Sequence, residues 1–292
     1  MERAAARRLI ALVTTIMKKN PLSLQVLIYA GLCLWVLLAT LPVVWTAILS
    51  LRHYVDAFSI PLKWTAPVTF DNYTGLWIEK GFYRNFFSTA IVTLGTVTIS
   101  LSVGCLAGYA LSRYRGSLGF WLLIIALIFR SLPHSTLLPS FYVMFDAVGV
   151  RNEYFTLILV LVAINQPFTI WMLRSFFVNI PQELDEAALV DGCSRFEAFR
   201  RVIIPVMWPG VVTTGLFSFL LAYNDFLLSS SLVNADKMTM PAAIANSIHA
   251  ESEALLMQGV AGAVSITIPL IILVVLFQKQ IVSGLTQGAV KG

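Results

Sequence analysis

The sequence predicts an all-α membrane protein: six transmembrane helices with one long, structured cytoplasmic loop between the fourth and fifth. Three observations predict it. First, of 292 residues 58% are hydrophobic and only 12% charged, and mean hydropathy is +0.81. An average soluble domain is about 45–50% apolar and about 25% charged. So much apolar surface needs a bilayer as solvent, which excludes a soluble globular enzyme and a disordered chain. Second, the apolar residues gather into runs long enough for the ~20 residues that cross a ~30 Å hydrocarbon core. Third, one connection, residues 175–208, runs to roughly 34 residues, against about 4–6 for an ordinary connection.

Residues 1–23 form a basic N-terminal tail with Arg3, Arg7, Arg8, Lys18 and Lys19. The first span covers residues 24–51. It is longer than a signal-peptide core and no small-residue cleavage site follows it, so it is a retained helix. The second span covers 86–111. The third covers 118–138, with Pro133 and Pro139 breaking its end. The fourth covers 154–173, the fifth 211–233 and the sixth 255–277, and together the spans make one transmembrane domain over 24–292. A chain in lipid must close its own backbone hydrogen bonds, and no strand alternation of strength is present, so the spans are helices.

Charge sets the direction. With the N-terminus inside, the inside segments carry 13 Lys and Arg and the outside segments 6, with Arg130 inside the third span. That bias places both termini in the cytoplasm. The net charge of +5 follows these run ends and marks topology, not nucleic acid. Cys33 and Cys105 fall in apolar runs and Cys193 in the polar loop. No pair has metal-ligand spacing, so they read as small apolar side chains. Two outside loops are long, at 52–85 and at 234–254. The second carries Asp236, His249, Glu251 and Glu253.

The cytoplasmic loop is built of helix signals. Pro181 suits a first helical position, and Glu183, Asp185 and Glu186 follow in the first turn, where the helix dipole favours acids. Gly192 suits the position past the helix end. Ser194 and Glu197 make the Ser-x-x-Glu capping box of a second short helix. Pro205 and Pro209 break the chain before the fifth span. Two short helices joined at a glycine turn make a rigid knob, and such a knob can dock in a groove of another protein.

Inside the spans, polar residues are few. Asp225 is the one acid within a span, near the middle of the fifth helix beside Asn224. An ionised group there is costly unless it faces water or a partner, so it reads as a pathway residue or as a hydrogen bond locking two helices. Asn165 and Gln166, just before Pro167, either line the pathway or satisfy backbone that the proline frees. Arg130 and His134, at the outer end of the third span, either meet a polar substrate or snorkel to the interface. No G-x-x-x-x-G-K-[ST] sequence occurs, nor HExxH, CxxC or GxSxG, so no nucleotide, metal or nucleophile site assembles from this chain's motifs.

Glu186-Ala187-Ala188, three residues, Gly192, nine residues and Val202-Ile203-Ile204-Pro205 resemble the EAA motif of ABC importer permeases, E-A-A-x3-G-x9-I-x-L-P. Val202 and Ile204 replace Ile and Leu and keep the apolar bulk. Further stretches are similar to the maltose-type carbohydrate-uptake permeases: Phe70-Asp71-Asn72-Tyr73, Gly108 to Arg115, Leu184 to Gly192, Ala222 to Phe226 and Gly284 to Gly292. Where that family often has Trp-Asn-Glu, this chain has Tyr223-Asn224-Asp225. The resemblance covers about residues 25–292.

It implies one permease subunit of a binding-protein-dependent importer in a bacterial inner membrane. The cargo would be a carbohydrate or polyol. The implied partners are a second permease, two copies of a cytoplasmic ATPase that bind ATP and Mg, and a periplasmic binding protein. This chain would be no enzyme and would hold no cofactor. Glu186, Ala187, Ala188, Asp191 and Gly192 would form the coupling helix docked on the ATPase. The C-terminal tail would reach between the ATPases, and loop 234–254 would meet the binding protein. Two rivals stand beside this reading: a permease for a phosphorylated or sulfonated sugar derivative, and an ion-coupled secondary transporter.

Overall fold

Ser88, Val92, Thr96, Ser100, Gly104 and Gly108 recur at every fourth position, which puts them on one face of a helix. In the computed structural model, which describes residues 22–61, 63, 65–114, 116–248 and 253–289, that face is buried. It lies against the helix of the fourth span, and among the described residues this pair forms the most extensive helix contact. Lipid tails are as apolar as leucine, so helices in a membrane associate by close van der Waals approach rather than by hydrophobic expulsion. Small side chains permit that approach. A Cβ on Gly104 would sit 2.9 Å from Leu173 and Thr169, and one on Gly108 would sit 3.1 Å from the Arg174 backbone nitrogen.

The main helices are α1 (Leu22–Ser50), α2 (Tyr83–Arg113), α3 (Leu118–Arg130), α4 (His134–Ala147), α5 (Tyr154–Phe177), α6 (Glu183–Val190), α7 (Arg195–Tyr223), α8 (Leu227–Leu232), α9 (Met240–Ile248) and α10 (Glu253–Ala289), with short helical turns at Tyr54–Ala57, Asp71–Thr74 and Gly75–Glu79 between α1 and α2. Among the described residues there is no strand. Five helices are long and apolar enough to cross a membrane, and six spans result if α3 and α4 count as one. Most of the tail 1–23 lies outside the described residues, as do Arg115, His249, Glu251 and 290–292.

The helix of the sixth span runs past the expected 255–277 to Ala289, and two spans differ from the sequence expectation in their course. The third is not one helix over 118–138. It bends by 91° between α3 and α4. Pro133 disfavours helical backbone at Leu132 and itself takes ψ 126°, so the break falls there, while Pro139 is absorbed inside α4. The fifth span starts earlier and ends earlier than 211–233. The second loop helix does not stop before Pro205; it runs into the span as α7. A π turn over Phe199–Ile203, closed by Ile204 N–H to Phe199 O, widens the helix just ahead of Pro205. A widened turn leaves room for the proline ring where a regular one would clash. At its other end α7 stops at Tyr223, and α8 begins after a three-residue break.

Three apolar clusters hold the bundle. Cys105, Leu173, Phe177, Phe199, Ile203 and Met207 pack at the end nearest α6. Val92, Leu157, Val160, Leu161, Leu228 and Leu232 pack at the opposite end of α2 and α5. Leu76, Phe82, Tyr223, Met240, Ile244 and Ala261 tie segment 75–82 to α7, α9 and α10. Asn72 donates to Ser50 O at 2.9 Å and Arg52 O at 2.8 Å, closing carbonyls left open at the end of α1.

Replacing Gly104 by Leu should break the α2–α5 contact. Overpacking typically costs about 1–3 kcal/mol, and here the clash meets a packed core. The measurement is thermal unfolding in detergent with tryptophan fluorescence. A lowered midpoint is expected for Gly104→Leu and an unchanged one for Gly31→Leu, whose added Cβ meets nothing within 4 Å.

Candidate functional site

The site begins with an eight-residue helix. Three acids, Glu183, Asp185 and Glu186, occupy the first turn of α6, where the dipole favours them. Gly192 ends it at φ +87°. Cys193 N–H donates to Ala188 O at 3.0 Å and Gly192 N–H to Leu189 O at 3.1 Å, the two bonds of a Schellman stop. Two residues later the Ser194 hydroxyl accepts from Glu197 N–H at 3.3 Å while the Glu197 carboxylate accepts from Ser194 N–H at 3.0 Å. The predicted capping box is present and starts α7.

Helical spacing sorts the side chains of α6 into two faces. Leu184, Asp185 and Ala188 point inward, and Leu184 packs on the cluster of Phe177 and Phe199. Glu183, Glu186, Ala187, Val190 and Asp191 point outward and are exposed. Val190 is 87% exposed, and Leu189 and Phe196 are exposed beside it. An apolar tip ringed by carboxylates therefore stands free. Ala188 does not belong to that tip. It is 5% exposed and buried where α6 meets the start of α7, so its small side chain allows approach within this chain and not, as expected, to a partner.

The inward face carries a charge contact that sequence reading did not single out. Arg113, the last residue of α2, places Nη2 2.7 Å from Asp185 Oδ2. Its Nη1 donates to Phe177 O at 3.3 Å and Ile180 O at 3.0 Å, carbonyls at the C-terminal end of α5. The Tyr109 hydroxyl donates to Asp185 Oδ1. The Tyr109 ring packs on Phe199 at 5.0 Å and Phe177 at 5.7 Å between centroids. The available signal was a Tyr and an Arg four apart at a span end, facing an acid on the loop helix.

The predicted pathway residues fall in two separate places. Asp225 is not in the middle of a helix. It stands in the break between α7 and α8, where Oδ1 accepts from Leu228 N–H at 3.1 Å and Ser229 N–H at 3.4 Å, as a helix cap does. Asn224 is exposed and donates to Leu220 O at 2.9 Å. Asn165 is buried on α5, and its carbonyl accepts from Thr169, whose hydroxyl lies 3.2 Å from that of Ser218 on α7. Gln166 donates to Ser100 O at 3.3 Å and so ties α5 to α2. Among the described residues no hydrogen bond joins the Asn165–Gln166 pair to the Asn224–Asp225 pair. Arg130 and His134 flank the 91° bend. Arg130 stacks 4.8 Å over the Phe168 ring, and α4, which His134 begins, packs on α8. Among the described residues no group of His, Cys, Asp and Glu is placed to hold a metal ion.

Comparison with known proteins places this geometry. Residues 100–287 match the family model described as binding-protein-dependent transport system inner membrane component. The chain is 37% identical over 264 residues to the trehalose transport system permease protein SugB of Mycobacterium tuberculosis, covering 87% of this chain and 93% of that one. It is 33% identical over 257 residues to the sulfoquinovosyl glycerol transport system permease protein SmoH of Agrobacterium fabrum, covering 86% and 88%. A crystal structure of a bacterial ABC transporter involved in the import of the acidic polysaccharide alginate superposes with TM-score 0.72 at 22% identity, over 89% of this chain and 98% of that one, and so shares the fold. An ion-coupled secondary transporter is set aside by the family match. The loop helix, the broken spans and these relatives agree, and the chain belongs to the binding-protein-dependent transport system inner membrane components, the multi-pass permeases of ABC importers.

Proposed function

We propose that this permease forms half of the pathway by which an ABC importer takes up a carbohydrate or polyol across a bacterial inner membrane. A second related permease supplies the other half. Two copies of a cytoplasmic ATPase bind ATP and Mg and supply the energy, and a periplasmic binding protein delivers the cargo to loop 234–254. Both termini lie in the cytoplasm, on the side of the basic residues. The observation that carries the reading is the tip of α6, an exposed apolar surface at Val190 and Leu189 ringed by the exposed carboxylates of Glu183, Glu186 and Asp191.

The mechanism follows from that tip. It seats in an ATPase cleft, with Ala187 allowing close approach, Glu186 facing a basic residue and Asp191 and Gly192 at its rim. ATP binding closes the ATPase dimer, the seated helix moves with it, and the pathway opens outward to receive cargo. Hydrolysis resets it inward. The names of the relatives, a trehalose and a sulfoquinovosyl glycerol system, support a glycoside cargo. The second of them favours a sulfonated sugar derivative as the alternative cargo.

Glu186→Lys tests the docking. Reversing one charge in a docked contact should lower uptake by roughly tenfold or more, with unchanged amounts of folded permease in the membrane. Wild-type uptake of labelled sugar would remove Glu186 from the coupling contact.

Asp225 is tested by two substitutions. Asp225→Asn keeps the oxygen that caps α8, whereas Asp225→Ala loses it at a cost of about 1 kcal/mol. A pathway charge predicts that Asn lowers uptake at normal protein level, while Ala lowers both. Full uptake with Asn would leave Asp225 as a cap alone.

A further inference from the structure

We infer that Arg113, Asp185 and Tyr109 form the joint that makes the membrane helices follow α6. The inference rests on the importer reading and names the residues through which this chain would carry the motion. An eight-residue helix has no independent stability in water. Its chain connections are a proline on one side, Pro181, and a positive-φ glycine on the other, Gly192. The orientation of α6 is therefore set by its side-chain contacts.

Of those contacts, Leu184 and Ala188 are apolar and non-directional, and they resist separation but not sliding. Asp185 is the directional one. Its two oxygens meet a cation from the end of α2 and a hydroxyl one turn earlier on the same helix. The same Arg113 side chain also holds two carbonyls at the end of α5. One guanidinium thus joins three elements. The side chains of Arg113 and Asp185 are 18% and 16% exposed, so salt and water screen the pair weakly. Arg113 Nη2 lies 2.7 Å from Asp185 Oδ2, a close ion pair beside the Tyr109 hydrogen bond to Oδ1.

These are positioning residues, and the test separates transmission from mere support. The complex is purified with its ATPase, the native cysteines are replaced by Ser, and spin labels are placed at Gln182→Cys, at the start of α6 and away from its docking tip, and Trp171→Cys on α5, both exposed positions. The distance between labels is measured with and without MgATP and vanadate. A working joint keeps the wild-type distance narrow and unchanged between the two conditions. In Asp185→Asn, which keeps an acceptor for Tyr109 but removes the charge, the distribution should broaden on adding nucleotide. Uptake should fall by roughly tenfold, the usual scale of a coupling effect, while the ATPase stays bound.

Tyr109→Phe, which keeps the ring packing, gives the same readout if Asp185→Asn does not accumulate. A wild-type distribution and wild-type uptake in the variants would overturn the joint. So would loss of the ATPase from the variant complex, because the contact would then only support the docking surface. A wild-type preparation that carries no ATPase would instead overturn the importer reading itself.

Discussion

The contact on which the rest of the molecule depends is the seam between α2 and α5. It is made by removing bulk. Small residues at every fourth position of α2 let the two backbones come within van der Waals reach, and polar atoms then cross the gap. Tyr154 reaches the Ser88 hydroxyl at 3.0 Å at one end. Gln166 reaches the Ser100 carbonyl in the middle. Arg113 reaches the carbonyls of Phe177 and Ile180 at the other end. The last of these crossings continues outward to Asp185, so the seam that holds the bundle also holds the loop helix. A load applied to α6 is delivered first to the two helices most extensively packed on each other.

The same economy governs where the chain breaks. A helix in lipid leaves no backbone group unpaired without cost. Both interruptions supply a local remedy. At the end of α7, Asp225 accepts the first free N–H groups of α8, and Asn224 returns a bond to the last turn of α7. At the bend between α3 and α4, Pro133 has no N–H to leave open. Interruptions that carry their own caps can sit near a pathway without destabilising the spans around it. The helices that follow the two interruptions, α4 and α8, pack on each other.

Much of this was legible in the sequence, and what was not has a physical reason. Span number, the isolated loop helix, the Gly192 stop and the Ser194 capping box follow from hydropathy and local caps, which act over a few residues. The ends of the fifth span did not follow. Pro205 and Pro209 read as breakers, but a π turn ahead of them absorbs the first, and Asn224-Asp225 ends the helix ten residues sooner than hydropathy alone implies. Local capping chemistry outweighed the apolar run. The joint at Arg113 was hidden for another reason. Asp185 looked like one of three equivalent acids in a first turn, and only the packing of α6 on Phe177 and Phe199 turns it inward while Glu183 and Glu186 face out. Ala187 and Ala188 divide in the same way, one exposed and one buried, although adjacent in the motif.

The central claim is that the exposed tip of α6 is a docking surface for an ATPase and that the clamp behind it carries the motion. The most direct measurement places a photo-reactive benzophenone side chain at Val190, irradiates native membranes and identifies the adduct by mass spectrometry. The account predicts one dominant product, a cytoplasmic ATPase subunit of an ABC transporter. Adducts to lipid or to periplasmic proteins alone would contradict it, because the tip would then face the membrane or the opposite side.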